Sequence, residues 1–162
     1  SRGGFGRETR FRLTDVKDGT SNTVGLSERL IRFGSSTDLS AMAERAASDF
    51  GSGGRNLTPA GCANLFVNGA WTSTTLFGGD RWPDGGLQFN GLTTNAAPNA
   101  AGCSPRESWD QGAGWVKPPT SNHPGGVNAA FFDGSVKFLR DTIDAGGATG
   151  AATRADTSPT PG

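Results

Sequence analysis

Several chemical groups are scarce in this chain of 162 residues, and each scarcity excludes a class of site. His123 is the only histidine, so a metal centre built from several histidines cannot form within one chain. Cys62 and Cys103 are the only cysteines, and without a Cys-x-x-Cys pair they argue against zinc. The formal net charge is zero, whereas a nucleic-acid-binding surface needs an excess of lysine and arginine. We therefore expect no nucleic-acid partner.

Long apolar segments are missing from the sequence as well. No run approaches the ~20 apolar residues that a membrane-spanning helix needs, so we expect no membrane span in this segment. No signal peptide is visible, and the sequence starts at Ser1 rather than at a methionine. We interpret the sequence as a processed chain or as a part of a longer protein.

The composition predicts a folded domain with a thin core. Hydrophobic residues make up 33% of the chain and 26 residues are glycine, which favours turns and irregular backbone. The four Trp, the ten Phe and the zero net charge argue against disorder. We predict an α+β, mainly β fold: an antiparallel sheet with a C-terminal hairpin, one short helix and long glycine-rich loops. This head would span residues 1–144, and residues 145–162 read as a flexible Gly/Ala/Thr/Pro tail.

Both cysteines lie in segments rich in Gly, Asn, Ala and Pro. Two cysteines in such loops indicate one disulfide, Cys62–Cys103, and an oxidising compartment. Two unlinked thiols are the alternative. A disulfide would fasten residues 78–105, which show little periodicity and form an unusually long loop for a compact domain.

Side-chain periodicity predicts the elements of the first half of the chain. Apolar residues at helical spacing, from Leu39 to Phe50, predict a helix over residues 38–50 that ends at Gly51. Alternation and apolar runs predict three strands, over residues 9–14, 23–31 and 65–72. Turn-forming residues predict a turn over 15–22 and a loop over 51–61.

The strongest local pattern is Asp133-Gly134 between two apolar-rich runs, residues 127–132 and 135–140. Asp-Gly in this setting predicts a β-hairpin with a two-residue type I′ turn, which needs a positive φ at both positions. Counting outward from the turn gives the pairs Phe132–Ser135, Phe131–Val136 and Ala129–Phe138.

Three segments carry motifs. The C-terminal motif consists of His123, the nine residues 124–132, and then Asp133-Gly134. The first one reads Asp18-Gly19-Thr20-Ser21-Asn22-Thr23, with Glu28 close behind. A weaker one reads Trp82-Pro83-Asp84-Gly85, then Pro98-Asn99 and Cys103. In this order, across residues 10–140, they resemble the bacterial pilin-like family with the prepilin-type processing-associated His-x9-Asp-Gly motif, a domain of unknown function.

The resemblance implies a pilin-like globular head, similar to type II secretion pseudopilins. In that family a leader and a long apolar helix precede the head and anchor the parent protein in the membrane. This sequence has neither, and its tail replaces the family's usual ending, so it resembles the C-terminal part only. The implied role is a structural subunit of an extracellular or cell-surface filament or assembly. The implied partners are copies of itself, related pilin-like subunits and the N-terminal half of the parent chain.

The motif residues are expected to serve structure. These structural candidates are His123, Asp133, Gly134, Asp18, Gly19 and Asn22. His123 would tie the Pro124-Gly125-Gly126 turn to the hairpin by bonding nearby backbone, and a ligand or pH-sensitive contact is the alternative. Asp133 would form the turn. Its alternative is calcium, which pseudopilin heads can hold in their C-terminal loops, with Asp80, Asp84 and Asp133 as ligands. No other cofactor is expected.

A second function from another class is a surface-exposed module that binds a glycan or solute through Trp-lined loops. Its candidate ligand-binding residues are Trp82, Asp84 and Trp109. Catalysis finds no support: Ser27 lacks the Gly-x-Ser-x-Gly elbow, and no phosphate-binding glycine loop with its lysine is present. We therefore expect no catalytic residue and no enzymatic activity.

Overall fold

The computed structural model describes residues 11–31, 42–45, 58–68, 70–72, 75, 76, 83, 89–105 and 116–145. They form a 3-10 helix, Leu13–Asp15, and one short α-helix, α1, Pro59–Ala63. The strands are β1 Val24–Ser27, β2 Met42–Arg45, β3 Phe66–Val67, β4 Ala70–Trp71, β5 Thr75–Leu76, β6 Cys103–Pro105, β7 Gly126–Phe131 and β8 Val136–Arg140. The prediction of an α+β, mainly β fold is confirmed. Residues 146–162, nearly all of the predicted tail, lie outside the described part.

The sheet that carries the motif segments has three antiparallel strands in the order β1-β7-β8. Val127 and Ala129 of β7 point to one face of this sheet and are buried. Their neighbours on β7 point to the opposite face, because side chains alternate along a strand. The predicted strand over residues 23–31 is confirmed at Val24–Ser27, where β1 pairs with β7, whereas residues 28–31 form no strand.

A second sheet has the order β5-β2-β6, with β2 antiparallel to β5 and parallel to β6. Its central strand is β2, so the predicted helix over residues 38–50 is wrong at 42–45. Met, Ala, Glu and Arg all favour helices, but a strand that pairs on both sides gains backbone hydrogen bonds that override this preference. Residues 38–41 and 46–50 lie outside the described part of the chain.

Three further predictions in the first half are corrected. Residues 11–15 form no strand: Leu13–Asp15 is a 3-10 helix, closed by the Asp15 carboxylate, which accepts from the Arg12 N–H at 2.9 Å. The predicted loop over residues 51–61 gives way to α1 at Pro59. The Thr58 hydroxyl caps this helix by accepting from the Gly61 N–H at 3.0 Å, and Pro59 suits a first helical position.

The predicted strand over residues 65–72 is two strands, β3 and β4, paired as a hairpin. Asn68 stands between them with a φ of 52°. Asn-Gly, here Asn68-Gly69, is the commonest signal for a two-residue hairpin turn, because both positions need positive φ. The dipeptide signal that predicted a hairpin at Asp133-Gly134 is therefore also present in the sequence at this earlier position, where Asn68 has the positive φ.

The β7–β8 hairpin is present, but its turn and register differ from the prediction. The Gly134 N–H donates to the Phe131 carbonyl at 3.0 Å, and the Phe131 N–H donates to the Ser135 carbonyl at 2.9 Å. Gly134 has a φ of 83°, whereas Asp133 has no positive φ. These features define a three-residue loop, a type I turn followed by a glycine bulge, and not type I′. The observed pairs are Ala130–Val136, Ala129–Lys137 and Asn128–Phe138, one residue away from the predicted pairs.

The disulfide Cys62–Cys103 lies within the buried core and confirms the predicted pairing. It joins α1 to β6 across 41 residues of sequence, so it restricts the unfolded chain and stabilises the fold. The other buried members of this core cluster are Leu65, Trp71, Ala96, Ala101 and Val116.

We predict that Gly134→Val destabilises the protein by roughly 1–2 kcal/mol, because a side chain with a Cβ resists positive φ, and a β-branched one most strongly. A Cβ at this position would meet no atom within 4 Å, so the cost comes from the backbone and not from a clash. Gly134→Asn is the control, since asparagine tolerates this conformation. Equal free energies of unfolding in urea for the two variants would contradict the assigned turn.

Candidate functional site

The two main motif segments lie side by side, although about a hundred residues separate them in sequence. β1 follows the Asp18–Thr23 turn and pairs with β7, which follows His123. Two contact regions result, one at each end of the β1–β7 pair. The first, at the C-terminal end of β1, we call the carboxylate junction; it consists of Glu28, His123 and Asn128. The second, around residues 18–23 and 132–134, we call the tip junction.

The Glu28 side chain is the centre of the carboxylate junction. Its Oε2 accepts from the Asn128 backbone N–H at 2.8 Å. Its Oε1 accepts from the Asn128 side-chain amide at 3.1 Å and lies 3.0 Å from Nε2 of His123. Since a carboxylate can only accept, the His123 Nε2 carries the hydrogen of this contact. One carboxylate thus receives three donors and joins β1, β7 and the segment that precedes β7.

The His123 backbone is fixed by a second set of bonds. The Ser121 hydroxyl accepts from the His123 N–H at 3.0 Å and donates to the Gly126 carbonyl at 2.8 Å. The Asn99 side chain accepts from the Ser121 N–H at 2.9 Å. Gly126 has no room for a side chain, because a Cβ would meet the Leu139 carbonyl and the Phe138 ring. The structure therefore places the His123 ring on a carboxylate, whereas the sequence indicated a bond to nearby backbone.

Hydrogen bonding sets the charge state of Glu28. The Asn128 backbone N–H, and then the Asn128 amide and His123, lower the pKa of the Glu28 carboxyl against the opposing effect of burial. All of these donors stabilise the charged form, so Glu28 is a poor general acid or base at neutral pH. The arrangement is suited to holding strands together.

The tip junction consists mainly of backbone bonds from the hairpin loop to the early turn. The Asp133 N–H donates to the Thr20 carbonyl at 3.2 Å, and the Phe132 N–H donates to the Thr23 carbonyl at 3.1 Å. The Lys137 ammonium donates to the Ser21 carbonyl at 2.9 Å. The early turn thus covers the end of the hairpin and orders the loop.

The early turn is shaped by its own polar residues. The Asn22 side chain donates to the Asp18 carbonyl at 3.2 Å, and the Thr23 hydroxyl donates to the Gly19 carbonyl at 3.1 Å. These bonds turn the Thr20 and Thr23 carbonyls toward the hairpin. Asp18, Gly19 and Asn22 therefore lie in one contact region with Asp133 and Gly134, while His123 lies in the other.

Asp133 serves the turn in this structure. Its Oδ1 accepts from the Ser135 N–H at 2.9 Å and from the Ser135 hydroxyl at 2.6 Å. These bonds, the hydroxyl first, lower the pKa of the Asp133 carboxyl. The other two candidate calcium ligands, Asp80 and Asp84, lie outside the described residues. Among the residues that are described, no three His, Cys, Asp or Glu side chains form a metal-binding group.

The candidate glycan-binding residues Trp82, Asp84 and Trp109 also lie outside the described part. Trp71 is described, and it is 8% exposed and packs edge-on against Phe66 with 4.9 Å between ring centroids. This ring therefore belongs to the core. Across the described residues, no helix is long and apolar enough to cross a bilayer.

We predict that Glu28→Gln lowers the free energy of unfolding at pH 7 by about 1–2 kcal/mol, since bonds to a charged acceptor are strong but this carboxylate is partly exposed. The folded pKa of Glu28 lies below its unfolded value, so its contribution is present above ~4.3 and is lost as pH falls through the folded pKa. Urea unfolding between pH 7 and pH 3 measures this. The difference between wild type and Glu28→Gln should shrink on acidification, and a constant difference would contradict the assignment.

We expect His123→Ala to cost about 0.5–1 kcal/mol at pH 7, less than Glu28→Gln, because the ring is 54% exposed and makes one of the three bonds to Glu28. A double-mutant cycle of His123→Ala with Glu28→Gln should show that the two costs are not additive. Additive costs would mean that the two side chains do not interact in solution.

The sequence was also compared with known proteins. The family described as protein of unknown function (DUF1559) matches residues 1–146. No curated protein and no solved structure matches the chain significantly. Since residues 1–146 are most of the 162-residue sequence, the chain belongs to the DUF1559 family.

Proposed function

We propose that this protein is a structural subunit of an extracellular or cell-surface pilin-like assembly, and that it acts by packing and strand pairing rather than by catalysis. Membership of the DUF1559 family and the motif resemblance support this proposal. The roles of the motif residues support it too, since His123, Glu28 and Asp133 are engaged in holding β1, β7 and β8 together.

One observation carries the proposal: the outward face of the β1-β7-β8 sheet exposes three large apolar side chains, Leu26, Val136 and Phe138. The pairs Leu26–Ala130 and Ala130–Val136 put these three residues in one row, and Phe138 lies in the next row beside Asn128. Leu26 is 64% exposed, Val136 67% and Phe138 48%. Exposed contiguous apolar patches of this kind mark interaction surfaces.

The register of the hairpin creates this surface. With the pairing that we predicted from sequence, Phe138 would share a face with Ala129, which is buried. The observed register moves Phe138 to the outward face, because a shift of one residue reverses the face of every side chain. In the proposed assembly, this face packs against another pilin-like subunit.

The wider setting is part of the same proposal. The parent protein would be held at the membrane through an N-terminal half of type II secretion pseudopilin character, and its partners would be copies of itself or related subunits. Within the described residues, no specific observation favours the glycan-binding alternative, since Trp71 is buried.

The test uses the native full-length protein in size-exclusion chromatography with light scattering and in negative-stain images. We expect concentration-dependent assembly that Leu26→Ser weakens. Leu13→Ser is the matched control, because Leu13 is 59% exposed but belongs to the 3-10 helix and not to the sheet face. A wild-type protein that stays monomeric at high concentration and forms no filament would overturn the proposal. Equal loss in both variants would show that this face is not the interface.

A further inference from the structure

Strand β8 is one edge of the β1-β7-β8 sheet, and no other strand among the described residues pairs with its outer side. The two edges of this sheet differ. β1, at the opposite edge, carries a register shift between Val24 and Leu26, and bulges of this kind protect an edge from further pairing. β8 pairs with β7 in one continuous register from Val136 to Arg140 and contains no proline. A regular edge of this kind is a template for pairing with another strand.

The β7–β8 hydrogen bonds determine which backbone groups of β8 point to its free edge. Bonds near both ends of the strand fix this direction: the Phe131 N–H donates to the Ser135 carbonyl at 2.9 Å, and the Asp141 N–H donates to the Gly125 carbonyl at 3.0 Å. Ser135 and Asp141 thus bond toward β7, and in an antiparallel pair this direction alternates along the strand. The residues whose backbone groups point to the free edge are therefore Val136, Phe138 and Arg140.

Lys137 does not protect this edge, although lysine is a residue that commonly does so. Its ammonium donates to the Ser21 carbonyl at 2.9 Å and lies 4.3 Å from the centre of the Phe131 ring. These contacts direct the side chain to its own subunit, since Phe131 belongs to β7, on the side away from the free edge. The charge that would repel a second strand is therefore drawn away from the edge.

We propose that β8 pairs antiparallel with β8 of a second copy of this chain, about a twofold axis at Phe138. This inference rests on the proposed assembly role and specifies one contact of that assembly. In this register the two copies of Phe138 exchange both backbone bonds, and the Arg140 N–H of each copy donates to the Val136 carbonyl of the other. The two sheets become one continuous sheet in the order β1-β7-β8-β8-β7-β1.

The sequence of β8 is complementary to itself in this register. All five residues of the strand are paired, with Lys137 opposite Leu139 and Arg140 opposite Val136, so that no like charges stand directly opposite each other. Any other axis pairs fewer residues of the strand, and an axis at Lys137 or Arg140 also places two like charges opposite each other. The exposed side chains of Val136 and Phe138 from both copies then lie on one face, so pairing joins the two apolar surfaces.

The test is disulfide cross-linking of the full chain, because the native cysteines are bonded to each other and leave no free thiol. Val136→Cys and Arg140→Cys are oxidised separately and as an equal mixture, and mass spectrometry separates the dimers. In the proposed register the Cα atoms of positions 136 and 140 of opposite copies lie about 5.5 Å apart, within disulfide reach, whereas like positions lie ~14 Å apart. The mixed dimer should therefore exceed each like dimer by at least about tenfold, because only its thiols can meet.

Leu26→Cys mixed with Arg140→Cys is the matched control. Leu26 is 64% exposed and lies on the same face as Val136, but on β1 at the opposite edge of the sheet. This mixture should give no excess of the mixed dimer. An equal excess in the control and in the test mixture would overturn the proposed pairing, because the cross-link would then not depend on the free edge.

Hydrogen exchange of the wild-type protein tests the same contact without a substitution. The amides of Val136, Phe138 and Arg140 point to the free edge, so their exchange should slow as the protein concentration rises. The amides of Lys137 and Leu139 bond to β7 and should be protected at every concentration. Exchange at 136, 138 and 140 that does not change with concentration would overturn the pairing, even where a cysteine variant does not fold.

The outcomes separate this inference from the proposed function. Assembly that Leu26→Ser weakens, without an excess of the mixed dimer, would overturn the pairing of β8 and leave the assembly role intact. Slower exchange at the edge without the mixed dimer would also overturn the pairing, because a different segment would then cover β8. A chain that neither assembles nor cross-links would overturn both.

Discussion

The hydrogen bonding of one carboxylate connects parts of the chain that lie far apart in sequence. Glu28 accepts from Asn128 across 100 residues and from His123 across 95. Bringing such distant segments together has an entropic cost, which contacts of this range must offset. The bonds at Glu28 do so at one end of the β1–β7 pair, and the bonds from the hairpin loop to Thr20 and Thr23 do so at the other. The hairpin gains its third strand through these contacts, and a hairpin alone is marginally stable in water.

This arrangement gives the motif residues a common physical purpose. His123 contacts Glu28, and Asn22 shapes the turn whose carbonyls receive the hairpin loop. Asp133 and Gly134 belong to the hairpin loop, and the Asp133 N–H donates to the Thr20 carbonyl of that turn. The same sheet buries Val127 and Ala129 on one face and exposes Leu26, Val136 and Phe138 on the other. Contacts that hold the sheet therefore also set which apolar side chains reach the surface.

Local patterns in the sequence predicted local features well. The turn residues near 15–22, the β7–β8 hairpin and the pairing of Cys62 with Cys103 were all readable from residue type and spacing. The helix predicted over 38–50 failed at β2, because pairing with β5 and β6 overrides local preference. The hairpin register failed by one residue because the Phe132 N–H bonds to Thr23, a distant partner that the dipeptide Asp133-Gly134 does not encode.

The candidate site was only partly predictable, because its contacts also join residues that are distant in sequence. The motifs marked His123, Asp133, Gly134, Asp18, Gly19 and Asn22, but the role of Glu28 depends on its meeting with Asn128 in space. Glu28 belongs to the first motif segment and Asn128 to the last. A carboxylate in one motif segment and an amide in another could have indicated that the two side chains bond to each other.

Native-state hydrogen exchange tests most directly whether contacts between the motif segments hold the sheet together. The informative amides are those of Asn128, Phe132 and Asp133, which donate to Glu28, Thr23 and Thr20. The account predicts that these three amides exchange as slowly as the amides between β7 and β8, because all of them open in one cooperative unit. Fast exchange of these three amides while the β7–β8 amides stay protected would contradict it, because the segment around β1 would then detach without disturbing the hairpin.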